Sequence, residues 1–152
     1  MPNGSLNMTY NEDHRFDFAR KQINAINKEN YTSVLDLFER ACSEFSDSVA
    51  FTCLGQDVTF REIDEMSASL AAYLCSEAGL ELGDRVAIQL PNLIQYPVAA
   101  WGILRAGLVA VPVNFKFPPA TIAEVIADCG ASLVLYDAER RPLLPDAGLP
   151  GV

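Results

Sequence analysis

The chain has 152 residues, of which 50% are hydrophobic and 20% are charged, and its formal net charge is −9. These values are typical of a folded soluble domain that is long enough to bury a core. The acidic excess lies in residues 31–84, where eleven acidic residues accompany two basic ones, and we interpret it as a solvated surface. An acidic surface without a basic patch argues against a nucleic-acid partner.

The four cysteines are far apart and include no C-x-x-C pair; they are Cys42, Cys53, Cys75 and Cys129. This spacing argues against zinc or a redox dithiol and favours reduced thiols in a cytoplasmic protein. The first thirty residues are polar and charged, so no secretory signal is predicted. The long apolar stretch Arg85–Asn114 contains prolines and an arginine, so no membrane span is predicted.

The first thirty residues carry mixed charge and few core-type residues, and we expect a mobile segment with a short helix between Phe16 and Asn27. The single histidine, His14, lies here and is given no role. Residues 31–141 are predicted to form the folded α/β part. Residues 142–152 are rich in proline and glycine, and we interpret them as the end of a fragment of a longer protein.

A helix is predicted from a cap at Thr32 or Ser33 to about Phe45. Its expected apolar face comprises Val34, Leu35, Phe38, Ala41, Cys42 and Phe45. A hairpin should follow, with strands Val49–Leu54 and Val58–Phe60 on either side of Gly55-Gln56-Asp57.

Thr59 and Glu62 have the spacing of a capping box, which predicts the start of a second helix. This helix should end at Gly79. Its expected buried face comprises Ile63, Met66, Leu70, Tyr73 and Leu74, all of them core positions rather than cofactor contacts.

The centre of the chain is predicted to form a strand, a helix and a second strand: Val86–Leu90, Ile94–Ala106 and Val109–Val113. Gly107 lies where a left-handed helix end is expected. Two apolar strands without alternation, joined by a helix, predict a parallel sheet covered on both faces, with a right-handed crossover.

A further helix should begin at Pro118-Pro119 and end at Gly130, with Ile122, Val125, Ile126 and Cys129 on its apolar face. Ser132–Tyr136 is predicted to be another buried strand. The fold class is therefore α/β: a parallel, Rossmann-like sheet with flanking helices and a small β-hairpin.

Ligands of open parallel sheets bind beyond the carboxyl ends of the strands, which here are Pro91-Asn92, Asn114 to Lys116, and Asp137. For Asn92 a helix cap is the favoured interpretation. Asn114 and Lys116 are candidates to line a cleft, and Asp137 suits a turn or a cap equally well. Gly102 and Gly107 have the spacing of a phosphate loop, but Leu108-Val109 follow where Lys and Ser/Thr are needed. No catalytic, cofactor-binding or metal-ligating residue is therefore assigned.

Two segments resemble the first two core motifs of the adenylate-forming acyl-CoA synthetase superfamily. These segments are VTFREI (Val58–Ile63) and ILRAGLVAVPVN (Ile103–Asn114). Their order and separation also fit, and GDRVAIQLPNLIQYPVAAWGILRAG (Gly83–Gly107) is similar to long-chain fatty-acid–CoA ligases. The resemblance covers roughly Tyr31 to Asp146. It implies the N-terminal subdomain of the acyl-CoA synthetase fold.

The resemblance carries the family's motif positions to Thr59, Phe60, Glu62, Arg105, Gly107 and Pro112. It implies architectural roles for them: a helix cap, a helix end and a strand start. Phe60 stands where tyrosine is more usual. The family's phosphate loop, its ribose-binding aspartate and its C-terminal domain with a catalytic lysine would all lie beyond Val152.

For the complete enzyme the resemblance implies ATP, magnesium and CoA, with a fatty acid or another carboxylic acid as substrate. None of these is expected to bind the 152 residues alone. The remainder of the enzyme's own chain is an expected partner, and peripheral membrane association and a homodimer stay open.

Three alternatives remain. The first is an aryl-acid–CoA ligase or a peptide-synthetase adenylation domain, and the second is a non-catalytic interaction module. The third is an unrelated nucleotide-binding domain, which the lack of a glycine-rich phosphate motif disfavours.

Overall fold

The structure is a computed structural model that describes residues 31–137. The chain divides into two compact units, residues 1–34 and 35–152, and the architecture below belongs to the second. The predicted helix Phe16–Asn27, His14 and residues 142–152 lie outside the described part. The elements, in order, are α1 (Val34–Glu44), β1 (Val49–Cys53), β2 (Gln56–Thr59), α2 (Phe60–Ser76), β3 (Arg85–Gln89), α3 (Gln95–Arg105), β4 (Val109–Pro112), α4 (Pro119–Cys129) and β5 (Leu133–Tyr136).

Strands β3, β4 and β5 form the predicted parallel sheet, in the order β4-β3-β5. Side chains of β3 alternate between two apolar clusters, because successive residues of a strand point to opposite faces. Val86 and Ile88 pack in the cluster that contains Ile103 of α3. Ala87 packs in the cluster that contains Ile122 of α4. The sheet is therefore covered on both faces, as predicted.

Strand β4 is less buried than its apolar sequence predicts. Its end residues Val109 and Pro112 are exposed, whereas Val86 to Gln89 in β3 are all buried. Edge position alone does not account for this, because β5 also pairs with β3 on one side only within the described residues, and Leu133 to Leu135 are buried. The prediction of full burial therefore holds for β3 and most of β5 and fails for β4.

The hairpin is present, but its predicted loop is wrong. Gln56 and Asp57 are strand residues paired with Cys53 and Thr52, and the turn is Leu54-Gly55. Both turn residues have positive φ, 51° for Leu54 and 79° for Gly55. A two-residue turn of this kind matches the twist of antiparallel strands, which a longer loop centred on Gln56 would not require.

Helix α2 begins with the predicted capping box. The Thr59 N–H donates to Glu62 Oε2 at 2.8 Å, and the Glu62 N–H donates to Thr59 Oγ1 at 3.3 Å. Phe60, predicted to end the hairpin, is the first residue of this helix. The capping box therefore sets the helix start one residue earlier than the hydrophobic pattern does.

The buried face of α2 differs from the prediction. Ile63 and Leu74 are buried as expected, but Met66 and Tyr73 are each 38% exposed and Ser67 is buried instead. The Ser67 hydroxyl has a hydrogen-bond partner despite its burial, because it donates to the carbonyl of Asp64 at 3.1 Å. The face that packs is set by the neighbouring helix α3, which the sequence pattern of α2 alone does not specify.

Fewer residues of helix α1 are buried than the sequence pattern predicts. Phe38 and Cys42 are buried, whereas Val34 and Phe45 at its two ends are exposed. The core contact of the helix is therefore made by Phe38 and Cys42, with the partly buried Leu35 packed beside them. Within residues 31–137, no helix has the length and apolar character needed to cross a membrane.

The predicted helix ends of α3 and α4 are confirmed. Gly107 follows α3 with φ 72°, and Gly130 caps α4 with φ 61°. Pro119 occupies the first turn of α4, as expected for proline.

Gly102 sets the close approach of α2 and α3. A Cβ at Gly102 would lie 3.0 Å from Leu70 Cβ and 2.8 Å from Leu70 Cδ2, so Leu70 or the helix backbone would have to shift to admit it. We predict that Gly102→Ala lowers the free energy of unfolding by up to about 2 kcal/mol, because overpacking costs about 1–3 kcal/mol and the higher helix propensity of alanine recovers about 1 kcal/mol. Urea denaturation measures this.

The matched control for Gly102→Ala is the same substitution in a Leu70→Ala background, where most of the cost should disappear. An unfolding midpoint that is unchanged or higher in Gly102→Ala alone would contradict this account of the helix contact.

The capping box predicts a pH dependence of stability. The hydrogen bonds from the Thr59 backbone N–H and then its hydroxyl lower the pKa of Glu62 from its ordinary value of 4.5. The stability gained from the ionised carboxylate is therefore present above about pH 4.5 and is lost as the pH falls through the lowered pKa. The difference in urea midpoint between the wild type and Glu62→Gln should shrink from pH 7 to pH 3. A constant difference across this range would be inconsistent with the ionised cap.

Candidate functional site

The three segments predicted to follow the strands lie along one edge of the sheet, because all three strands are parallel. They are Pro91-Asn92 after β3, Asn114 to Lys116 after β4, and Asp137 after β5. The chain leaves β3 for one neighbour, β4, and then crosses to the other side for β5. This order places the topological switch point between the carboxyl ends of β3 and β5.

Asn92 does not cap α3, so that interpretation is wrong. The helix begins at Gln95, and the residue before it, Ile94, is already helical and caps nothing with its side chain. A turn precedes the helix, in which the Leu93 N–H donates to the Pro91 carbonyl at 2.8 Å. This turn uses the segment between strand and helix, so Asn92 lies two residues before the N-cap position, Ile94, and does not cap the helix.

Gln89 is a buried polar residue at the switch point that the sequence analysis passed over. It is the last residue of β3 and pairs in register with Tyr136 of β5. It is 1% exposed, its Nε2 donates to the carbonyl of Phe115 at 3.4 Å, and its Oε1 has no hydrogen-bond donor among the described residues. The signal in the sequence was one amide side chain within the apolar run Val86–Leu90.

The segment of residues 113–118, which we call the β4–α4 loop, connects this edge to helix α4. The Val113 N–H donates to the carbonyl of Ile88 at 2.9 Å, and Asn114 Oδ1 accepts from the Lys116 N–H at 3.0 Å. Asn114 and Lys116 are both exposed. Asn114 and Lys116, which were predicted to line a cleft, therefore lie on a loop to which the Gln89 side chain is hydrogen-bonded.

An apolar groove of about 300 Å³ lies on the other face of the same edge, between α2, α3 and β5. A second cavity of about 460 Å³ adjoins it and extends to the hairpin, with Glu62 and Glu65 among its lining residues. The two share Met66, Ile94 and Gln95, so Met66 lines a surface groove instead of the predicted core. This surface can accept an apolar group or segment.

Arg105, a family motif position, connects three helices. Its guanidinium donates from Nη1 to the carbonyl of Asp64 at 3.1 Å and from Nη2 to the Asp64 carboxylate. It lies 5.5 Å from the centroid of the Phe38 ring, which stacks on Trp101 at 4.0 Å. The side chain is only 14% exposed. Arg105 therefore links α3 to α2 and α1, beyond the role at a helix end that its sequence position indicated.

The remaining motif positions occupy turns and element ends. Thr59 and Glu62 form the cap of α2, Gly107 ends α3, and Pro112 is the last residue of β4 instead of a strand start. The described residues contain no cluster of three metal-ligating side chains. The four cysteines are unpaired, and burial raises the pKa of the Cys42 thiol. None of these positions forms a nucleophile–base pair.

The Arg105–Asp64 contact makes a testable contribution to stability. We predict that Arg105→Met lowers the free energy of unfolding by about 1–3 kcal/mol, because it removes a charged donor from two acceptors and a ring contact. Arg105→Lys should recover part of this loss, since an ammonium lacks the planar fork that reaches both acceptors. Urea denaturation is the measurement.

The matched control is Arg40→Met. Arg40 pairs with Asp36 at 2.8 Å on the exposed side of α1, and such a pair contributes only about 0.3–0.5 kcal/mol. Equal losses for Arg40→Met and Arg105→Met would contradict the special position of Arg105.

The chain matches the family described as AMP-binding enzyme over residues 38–150. Long-chain-fatty-acid–CoA ligases of Escherichia coli and Haemophilus influenzae are each 44% identical over 110 residues, which cover 72% of this chain and 20% of each ligase. The chain thus spans a fifth of the length of these relatives.

Solved adenylation domains share the fold. The artificially fused adenylation–PCP di-domain NpsA-ThdA from Klebsiella oxytoca matches with a TM-score of 0.73 and 29% identity, over 79% of this chain and 22% of that one. The Klebsiella oxytoca NpsA N-terminal subdomain in complex with anthranilyl-AMSN matches with a TM-score of 0.72 and 28% identity, over 79% of this chain and 30% of that one. The architecture is therefore that of the N-terminal subdomain of adenylate-forming enzymes, and this chain belongs to the AMP-binding enzyme family.

Proposed function

We propose that this chain is part of an AMP-forming ligase that joins a carboxylic acid to CoA, with a long-chain fatty acid as the acid. The observation that carries the proposal is the 44% identity, over 110 residues, to proteins named as long-chain-fatty-acid–CoA ligases. The activity belongs to the whole enzyme, because the matched region is 20% of each relative.

The reaction has two steps in which bonds are exchanged. A carboxylate oxygen attacks the α-phosphorus of ATP, which forms an acyl-adenylate and releases pyrophosphate. The CoA thiol, losing its proton, then attacks the acyl carbonyl, forms the thioester and releases AMP. We infer that magnesium neutralises phosphate charge in the first step.

We propose that this chain contributes scaffold to the reaction. The motif positions with architectural roles are Thr59, Phe60, Glu62, Arg105, Gly107 and Pro112, whose contacts cap helices, connect helices or end strands. The groups that carry out adenylation and acyl transfer are then supplied by the remainder of the enzyme. A cytoplasmic location agrees with the cysteine content and composition, and a homodimer and peripheral membrane binding are properties to test on the intact enzyme.

A second candidate is an aryl-acid ligase or an adenylation domain of a peptide synthetase. It is favoured by the likeness to the NpsA subdomain, whose complex contains anthranilyl-AMSN. A panel of acids distinguishes the two, because aliphatic and aromatic acids require pockets of different shape.

The test uses the enzyme expressed from its complete reading frame. Pyrophosphate release is measured with ATP, magnesium and a panel of fatty and aromatic acids, each with and without CoA. We predict release with long-chain fatty acids and formation of acyl-CoA only when CoA is present.

Release with aromatic acids alone would select the second candidate. If the whole panel is inert while the protein is folded, the chain belongs to a non-catalytic module and the proposal is wrong.

A further inference from the structure

Burying the polar side chain of Gln89 in β3 costs free energy. Its neighbours along β3, Val86 to Ile88, are apolar and fully buried, and its buried Oε1 accepts no hydrogen bond from residues 31–137. A buried acceptor that lacks a donor loses its hydration and gains nothing in return. An apolar side chain of the same length would fill this site without that cost.

The polar contact that Gln89 does make is directed at the β4–α4 loop. Its Nε2 donates to the Phe115 carbonyl, 26 residues away in sequence. The side chain of the neighbouring residue Asn114 accepts a hydrogen bond from the backbone N–H of Lys116 and so forms a turn within the loop. Gln89 and Asn114 thus both contribute to how the loop leaves the sheet, together with the backbone hydrogen bonds from Val113 to Ile88 and from Phe117 to Asn114.

Lys116 is the residue that this loop presents at the carboxyl edge. Within residues 31–137 the ion pairs engage Arg40, Arg61 and Arg105, and Lys116 has no carboxylate partner. Its Nζ lies 5.8 Å from the centroid of the Phe115 ring, and the residue is exposed. In a chain with a net charge of −9, an unpaired ammonium beside the edge where parallel sheets bind ligands is suited to an anionic group.

We propose that Gln89 is a positioning residue, whose amide fixes the β4–α4 loop so that Lys116 meets an anionic substrate at the carboxyl edge of the sheet. The inference rests on the proposed function, whose three substrates all carry carboxylate or phosphate groups. Gln89 acts through the Phe115 carbonyl and does not touch the substrate itself.

The first experiment measures the loop directly. Gln89→Met keeps the length of the side chain and removes both polar atoms. Trypsin cleavage after Lys116 in the folded protein should become about tenfold faster, since loss of one hydrogen bond of about 1.4 kcal/mol releases the loop by that factor. The matched control is Gln56→Met, at an exposed glutamine of β2, which should leave this rate unchanged.

The same variant separates positioning from packing. Because Gln89→Met also removes the unpartnered oxygen, its thermal unfolding midpoint should equal or exceed that of the wild type. In the complete enzyme the KM for fatty acid, ATP or CoA should rise about tenfold, with kcat within about twofold, as expected when substrate binding alone is weakened. Measuring the three values separately identifies which anion meets the loop.

Gln89→Glu supplies a second readout. A protonated carboxyl can donate its O–H to the Phe115 carbonyl, whereas the ionised form cannot, and burial raises the pKa of such a carboxyl. The raised KM should therefore fall toward the wild-type value as the pH is lowered from 8 to 6.

A trypsin rate that is unchanged in Gln89→Met would overturn the inference, whatever the activity of the enzyme. A lower unfolding midpoint with all three KM values and kcat changed together would also overturn it, because Gln89 would then be a packing residue. If the loop is released but no acid is activated by the wild type, the proposed function fails; equilibrium binding of ATP and CoA to both proteins then decides the inference, and equal affinities refute it.

Discussion

The burial of β3 from both sides is the constraint on which the rest of the structure depends. Val86, Ala87 and Ile88 are all fully buried, and they alternate between the two apolar clusters. A strand of this kind requires a covering layer on each face and a neighbour on each edge. Parallel neighbours must be reached by crossovers, and the crossover helices α3 and α4 are the covering layers. The same requirement thus produces the sheet order and the positions of the helices.

The contact between α2 and α3 joins the rest of the described chain to this core. Near its middle, Gly102 allows Leu70 to approach the backbone of α3. At the end of α3, the Arg105 guanidinium reaches the Asp64 carbonyl and carboxylate on α2. Close packing and a charged hydrogen bond therefore act on the same pair of helices, and α1 attaches to them through the stacked rings of Phe38 and Trp101. The mostly buried guanidinium of Arg105 has its charge balanced by Asp64, which accepts from it with both its carbonyl and its carboxylate, and by Glu39 of α1 at 3.8 Å.

The features that could be predicted from sequence are those with local causes. The capping box at Thr59, the left-handed helix end at Gly107 and the apolar run of β3 each depend on residues close together in the chain, and each is confirmed. The errors concern features set by distant residues. Met66 faces a groove because α3 contacts a different side of α2, and Gln89 is recognisable as unusual only once its neighbours in space are known. The carboxyl edge itself was predictable, since it follows from parallel strands, but the residue that holds its loop was not.

This distinction also explains why the family can be recognised in a chain that spans a fifth of its relatives. Gly107 has φ 72°, a left-handed backbone conformation that favours glycine over residues with a side chain. The Gly107 carbonyl accepts the N–H of Gly83, and the Val109 N–H donates to the carbonyl of Asp84, so this turn aligns the start of β4 with the start of β3. The second motif, Ile103–Asn114, therefore contains the residues of a turn that sets the register of the sheet. Such a requirement holds wherever this sheet is built, so the motif identifies the fold through residues that need not take part in the chemistry.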